Sequence, residues 1–206
     1  MGRRSIHTPE QLRELVIHSA NQIVAESGLA GVSAREIARR IGYSPGTLYN
    51  LFDSLDDLIL EVEALLLDSL DRRLSELPEK GTADERLIRL AHAYVSFSRE
   101  NSKLWTLIVQ HPIPQRSNVP AWYSERLERL VGRIEAALSN QGPLDNHPEA
   151  CKRSARVIWA GLHGLTTLST TDKLASITPG SIDPLVDDFI LSYLAGLRTR
   201  SRDGRV

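Results

Sequence analysis

The chain of 206 residues carries 25 Lys and Arg against 26 Asp and Glu, a formal net charge of -1, which excludes a protein that coats nucleic acid indiscriminately and confines anion binding to local patches. At 41% hydrophobic and 25% charged residues it is too apolar for a disordered chain, and its length allows one large domain or a small one joined to a larger. No apolar run approaches the roughly 18 residues of a membrane span, Ile6 stands where a myristoylation pattern needs Ser or Thr, and the lone Cys151 rules out an intrachain disulfide. Neither export nor membrane insertion is expected, and a reducing cytoplasm fits best.

Apolar residues recur at helical spacing throughout, with no strand-length alternation, so an all-α fold of about nine helices is expected. Thr8, Pro9 and Gln11 read as N-cap, first-turn proline and capping-box partner of a helix whose Leu12, Leu15, Val16, Ile23 and Val24 share a face and which Gly28 ends. Ser33-Ala-Arg-Glu36 offers a second capping box before a short helix with Ile37, Ala38 and Ile41 inward, stopping at Gly42. Ser44-Pro45 opens a third helix, with Leu48 and Phe52 four apart to dock on the first two.

A long helix follows from Leu55 to Leu77, roughly 35 Å at ~1.5 Å per residue. It is apolar at Leu58, Ile59, Val62, Leu65, Leu66, Leu70 and Leu74, and Pro78 stops it. After a turn from Pro78 to Ala83 comes a helix with Leu87, Leu90, Ala91, Tyr94 and Val95, then a short one from Lys103 to Gln110 with Leu104, Trp105 and Ile108. Pro112, Pro114 and Pro120 make His111 to Pro120 a loop. Helices are expected from Trp122 to Asn140, Pro148 to Thr171 and Asp183 to Thr199, broken at Gly142-Pro143 and Thr178-Pro179-Gly180-Ser181, with a frayed tail from Ser201.

Two short helices joined by a tight turn at Gly42 match the helix-turn-helix, whose second helix enters the major groove of DNA. The first turn of that helix offers Ser44, Gly46 and Thr47, small enough for close approach, while Tyr49 and Asn50 fall on the face opposite Leu48 and Phe52.

The run from Gly31 to Phe52, with its Thr47-Leu48-Tyr49 core, resembles the DNA-binding domain of the TetR family of repressors, and the resemblance extends from about Pro9 to about Leu70. It implies a three-helix DNA-binding domain at 9–54, continuing into the helix 55–77, followed by a helical effector-binding and dimerisation domain at 78–199. Carried over by position, it implies that Ser33, Ser44, Thr47 and Tyr49 contact phosphates, which fix register, while Arg35, Tyr43, Pro45 and Asn50 approach or flank base edges, which specify sequence. Leu55 stands where many relatives have a phosphate-binding lysine, and Arg3 and Arg4, as a flexible arm, would compensate. Arg39 and Arg40 read equally well as DNA-facing or as a solvated helix face.

Further on, Trp159-Ala-Gly-Leu-His163-Gly164 resembles the Trp-x-x-x-His-Gly signature of one C-terminal subtype of that family. By spacing alone, Trp159 and His163 share a face and Gly161 and Gly164 admit a neighbouring helix, with core packing as the plainer explanation. The last two helices, bearing Val157, Ile158, Leu162 and Leu165 and then Leu185, Phe189, Ile190, Tyr193 and Leu197, resemble the family's dimer interface, so that two copies would bury both stripes. A homodimer is also what two recognition helices need to meet major grooves about 34–36 Å apart. Family pockets lie among the fourth to eighth helices, which nominates Leu66, Tyr94, Phe97, Trp105, Ile108, Trp122 and His163 to line a site for a small-molecule effector, apolar with a polar handle.

Enzyme motifs are missing: there is no G-x-S-x-G elbow, Walker loop or dinucleotide fingerprint. His147 and Cys151, spaced i,i+4, offer at most two metal ligands, and His147 reads better as a cap for a helix opening at Pro148, so neither metal nor cofactor is expected. Asp56, Asp57, Glu61 and Glu63 suit a helix N-terminus or a solvated face rather than a catalytic pair. Leu55 and the neutral balance also admit a protein-interaction adaptor without DNA affinity. The expected function is a sequence-specific transcription regulator, a repressor released from double-stranded operator DNA when a ligand tilts the helix Leu55 to Leu77 and changes the separation of the two recognition helices.

Overall fold

A computed structural model describes residues 7–111, 119–139, 144, 147–178 and 180–202. Among these the chain forms nine α-helices and no strand: α1 (Pro9–Ser27), α2 (Ala34–Ile41), α3 (Pro45–Tyr49), α4 (Leu55–Ser75), α5 (Ala83–Glu100), α6 (Ser102–Gln110), α7 (Ala121–Ser139), α8 (Pro148–Thr170) and α9 (Asp183–Arg202). None of them is long and apolar enough to cross a membrane. Arg3, Arg4, Pro112, Pro114, Asn140, Gly142, Pro143 and Pro179 lie outside the described residues.

Local chemistry accounts for the helix ends. The Gln11 N–H donates to Thr8 Oγ1 at 3.3 Å and the Thr8 N–H to Gln11 Oε1 at 3.0 Å, a complete capping box with Pro9 behind it, and Gly28 ends α1 at φ 71°. A 3₁₀ turn at Leu29–Gly31, which periodicity did not signal, carries the chain to α2. Ser33 Oγ accepts the Glu36 N–H at 3.2 Å, but the Glu36 carboxylate, expected to complete that box, instead takes Arg39 at 2.7 Å and Arg40 at 2.9 Å. Two cations one turn ahead attract a carboxylate more strongly than a neutral N–H behind it. At the other end of the chain α9 runs on to Arg202, three residues past Thr199.

The chain divides into two compact units, Met1–Leu66 with Asn101–Pro120 and Leu67–Glu100 with Ala121–Val206, and the division falls inside α4. In the first, Val16, Ala20, Ile23 and Val24 of α1 bury against Ile37 and Ala38 of α2, Leu48, Phe52, and Leu58, Ile59 and Val62 of α4. Although α6 is expected with the C-terminal helices, it packs on α1, with Leu107 inside the same core and Leu104 at its edge. Helical periodicity reveals that α6 has a buried face but not which helix covers it. Leu65, expected on the inward stripe of α4, is 42% exposed.

In the second unit α5 lies against α7, α8 and α9, and α7 lies against α8. An ion-pair ladder joins the C-terminal half of α4 to α7: Asp68 meets Arg126 at 3.0 Å and Arg129 at 2.8 Å, and Asp71 meets Arg133 at 2.6 Å. The α8 and α9 stripes prove to be split. Ile158, Leu162, Ile190 and Leu197 are already buried within the single chain, Leu165, Leu185, Phe189 and Tyr193 are half-buried, and Val157 is exposed, as are Leu168 and Leu191 outside the two stripes. Only the outward part is thus left for a second copy to cover, because a 3.6-residue repeat places neighbouring apolar positions on different flanks of a helix. Gly161 does admit a neighbour, since a Cβ there would stand 2.3 Å from Phe189 Cζ, whereas a Cβ at Gly164 would meet nothing within 4 Å.

Candidate nucleic-acid interface and polar core

The turn between α2 and α3 is built around one backbone conformation. Gly42 sits in the left-handed region, φ 74° and ψ 29°, and this lets the Gly42 and Tyr43 N–H groups both close on the Ala38 carbonyl, the latter at 3.0 Å. Ser44 is extended, at ψ 150°, and Pro45 pre-sets the first turn of α3. The Ser44 and Thr47 hydroxyls lie 3.0 Å apart, so this pair is ordered before any partner arrives.

Beneath α3, Leu48 and Phe52 are 3% and 5% exposed, while Tyr49 between them is 61% exposed. Ser33, Arg35, Ser44, Pro45 and Asn50 are exposed as well, and Tyr43 and Thr47 are half-buried. The residues nominated for DNA contact come from the N-terminus of α2, the α2–α3 turn, or α3 with its C-cap.

Other groups that hold this surface were not legible in sequence. His7 Nδ1 lies 2.8 Å from the Tyr43 hydroxyl and ties Tyr43 to the start of α1. Arg13 of α1 donates to the Leu51 carbonyl at 2.8 Å and to Glu61 at 2.6 Å, with its guanidinium 4.2 Å above the Phe52 ring. One side chain thereby fastens the segment after α3 to α1 and α4. Arg39 and Arg40 stay exposed on the helix face and pair within the chain: Arg40 also meets Glu26 at 2.7 Å, and the Arg39 and Arg40 hydrogen bonds hold the Glu36 carboxyl down at about 2. Leu55 packs half-buried against the first unit's core, and α4 is capped instead by Ser54, whose Oγ accepts the Asp57 N–H at 3.1 Å.

Glu63 departs from the expected helix-end or solvated role. It is 2% exposed, 2.9 Å from Nδ1 of the buried His111 at the end of α6, while His111 Nε2 lies 3.4 Å from Asp56. The Glu63 hydrogen bond raises the His111 pKa above its ordinary value against the cost of burial.

In the second unit the nominated Tyr94 and His163 do come together, with the phenol 3.1 Å from His163 Nδ1, and Trp159 stacks on the imidazole at 5.6 Å between ring centroids. Burial drives the Tyr94 pKa up, opposed by a hydrogen bond from Trp159, and burial lowers that of His163. The imidazole is thus favoured neutral, and it shares one hydrogen bond with the phenol whose direction follows the histidine tautomer. Phe97 is buried on the same helix as Tyr94. Trp122, half-buried at the start of α7, meets Tyr123 edge-on at 5.9 Å and Arg126 at 5.5 Å. Leu66, Trp105 and Ile108 belong to the first unit. His147 is the N-cap residue of α8 by position but makes no side-chain cap bond, and the Cys151 thiol donates to the Glu135 carbonyl at 3.4 Å. Among the described residues no group of three or more His, Cys, Asp or Glu side chains is placed to hold a metal ion.

A helix-turn-helix with a solvent-facing α3, joined to helices with a polar core, defines a DNA-binding regulator by class. Residues 16–62 match the family described as bacterial regulatory proteins, tetR family, and residues 87–193, over half of the chain, match the tetracyclin repressor-like C-terminal domain. The chain belongs to the TetR family and is a transcription regulator, not an enzyme. It is 24% identical over 202 residues, 98% of this chain and 88% of its relative, to the uncharacterized HTH-type transcriptional regulator Rv0681 of Mycobacterium tuberculosis. Among solved structures, a protein from Rhodococcus sp. RHA1 superposes with a TM-score of 0.72 at 23% identity, covering 96% of this chain and 100% of that one. The regulator FadR from Bacillus subtilis, solved in complex with stearoyl-CoA, gives a TM-score of 0.67 at 17% identity over 89% of this chain and 98% of its own.

Proposed function

We propose that this regulator is a cytoplasmic repressor that binds double-stranded operator DNA as a homodimer and is released by a small-molecule effector. The observation that carries the reading is the division of α3, with Tyr49 61% exposed beside a Leu48 that is 3% exposed, so that a five-residue helix rests on the core and offers its other face to a groove. Ser33, Ser44, Thr47 and Tyr49 hold phosphates, and Arg35, Tyr43, Pro45 and Asn50 lie at base edges, with the DNA-binding domain at 9–54 and the effector and dimerisation domain at 78–199 apart from α6, which packs on α1. Val157, Leu168 and Leu191 form the dimer face on α8 and α9. Lys152, Arg153 and Arg156 on α8 are complementary to Asp187 and Asp188 on α9, which suits an isologous contact between copies.

The effector is an apolar molecule whose polar group competes for the Tyr94–His163 pair, in a site that draws on Phe97 and Trp122. Ligand-binding of this kind in a protein of the same fold, FadR with stearoyl-CoA, is consistent with it. Occupancy tilts α4 and changes the separation of the two recognition helices, and a coupling of about 1–3 kcal/mol alters operator affinity roughly 5- to 150-fold.

Fluorescence anisotropy against DNA from upstream of the protein's own gene, across a salt series, tests the reading. Tight binding that beats random DNA and falls steeply with salt is expected, with affinity at least about tenfold weaker for Tyr49→Ala, the loss of one hydrogen bond to a charged group. Equal affinity for random DNA at every salt concentration, there and at other genomic sites, would favour the adaptor reading instead.

A further inference from the structure

A cleft of about 190 Å³ opens in the second unit where the end of α4, the early turns of α5 and the last turns of α7 meet. Its floor is apolar: Leu74, Leu90 and Ala137 are buried, and Leu77 and Ala136 complete the wall. Arg86, Arg89 and Arg133 edge it against the single carboxylate of Glu79. The three guanidiniums are not equivalent. Arg133 is committed to Asp71 at 2.6 Å, and Arg86 donates to the Gly81 carbonyl at 2.8 Å. Arg89 donates to the Pro78 carbonyl at 3.2 Å and to that of Lys80, its Nε is buried without an acceptor, and among the described residues no carboxylate pairs with it. A half-buried charge hydrogen-bonded only to neutral carbonyls, beside an apolar floor, is the complement of an amphipathic anion.

We propose that this cleft is a binding site, separate from the Tyr94–His163 core, for a compact amphipathic monoanion. Arg89, with Arg86 beside it, takes a carboxylate or phosphate head, and Leu74, Leu77 and Leu90 take the acyl or aryl body. The volume is below the roughly 300–1,000 Å³ of pockets for drug-sized ligands and suits a body of about ten non-hydrogen atoms. The guanidinium fork accepts either head group through paired N–H bonds. The site does not depend on operator binding or on the effector assigned to the core.

Titration calorimetry of the full chain with sodium octanoate, hexyl phosphate and neutral hexanol tests this. Saturable binding of one or both anions is expected, with the preferred one naming the head group, and hexanol binding at least about tenfold more weakly. Arg89→Gln should weaken the anion at least tenfold while Arg89→Lys retains part of the affinity. Ala136→Trp, at an exposed wall position that tolerates bulk without disturbing the core, should block it, and Tyr94→Phe should leave it unchanged. No saturable binding of either anion up to about 5 mM would overturn the proposal. So would affinity unchanged in both Arg89→Gln and Ala136→Trp, or lost only in Tyr94→Phe, which would move the ligand to the core.

Discussion

His111 carries a proton linkage whose sign follows from its neighbours. The Glu63 hydrogen bond, with Asp56 on the other ring nitrogen, holds its folded pKa above the ordinary value of about 6.5. A histidine raised in this way contributes stability that is fully present below that ordinary value and is lost as pH rises through the folded one. His163, lowered by burial, works in the opposite sense, its contribution being lost as pH falls. Comparing wild type with His111→Gln therefore isolates His111: the gap between their melting temperatures, followed by circular dichroism, should be widest near pH 6 and narrow toward pH 9. A gap that stays constant with pH would show that the pair is not proton-linked. No local rule could have paired these groups, since Glu63 and His111 lie 48 residues apart and His7 and Tyr43 lie 36 apart.

At the scale of the element, the α2–α3 turn depends on a conformation that side chains resist. A Cβ at Gly42 would meet nothing within 4 Å, so replacing it costs backbone strain alone. Gly42→Ala should lose about 1–2 kcal/mol in urea unfolding, and Gly42→Asn less, because asparagine visits the left-handed region more readily. A Gly42→Ala protein as stable as wild type would mean that the turn relaxes to another shape. Helix ends of this kind were legible beforehand because a cap and its partner sit within about four residues of each other. Glu36 shows where such reading stops: its capping partner was in the right place, but Arg39 and Arg40 compete for the same oxygens.

For the whole molecule, the proposed dimer through the outward faces of α8 and α9 would give a particle of twice the 22.9 kDa chain in sedimentation equilibrium. Val157→Glu, at a side chain 44% exposed in the single chain, should shift that equilibrium to monomer and abolish tight operator binding while leaving the fold intact by circular dichroism. A Val157→Glu protein that remains dimeric would place the interface elsewhere. Which apolar residues of the stripe stay exposed was beyond the sequence, because Ile158 and Val157 are adjacent in one stripe, yet Ile158 is buried by its own chain and Val157 is not.

The same division runs through the protein. Helices, caps and the Gly42 turn were readable from the sequence because each is written in residues close together, and the family membership because its motif is one contiguous run. The docking of α6 onto α1, the burial of Glu63 beside His111, the Arg13 clasp and the arginine-edged cleft at the ends of α4, α5 and α7 were not. Each depends on which surfaces the folded chain brings together across tens of residues, and periodicity tells a helix that it has a face to bury without telling it against what.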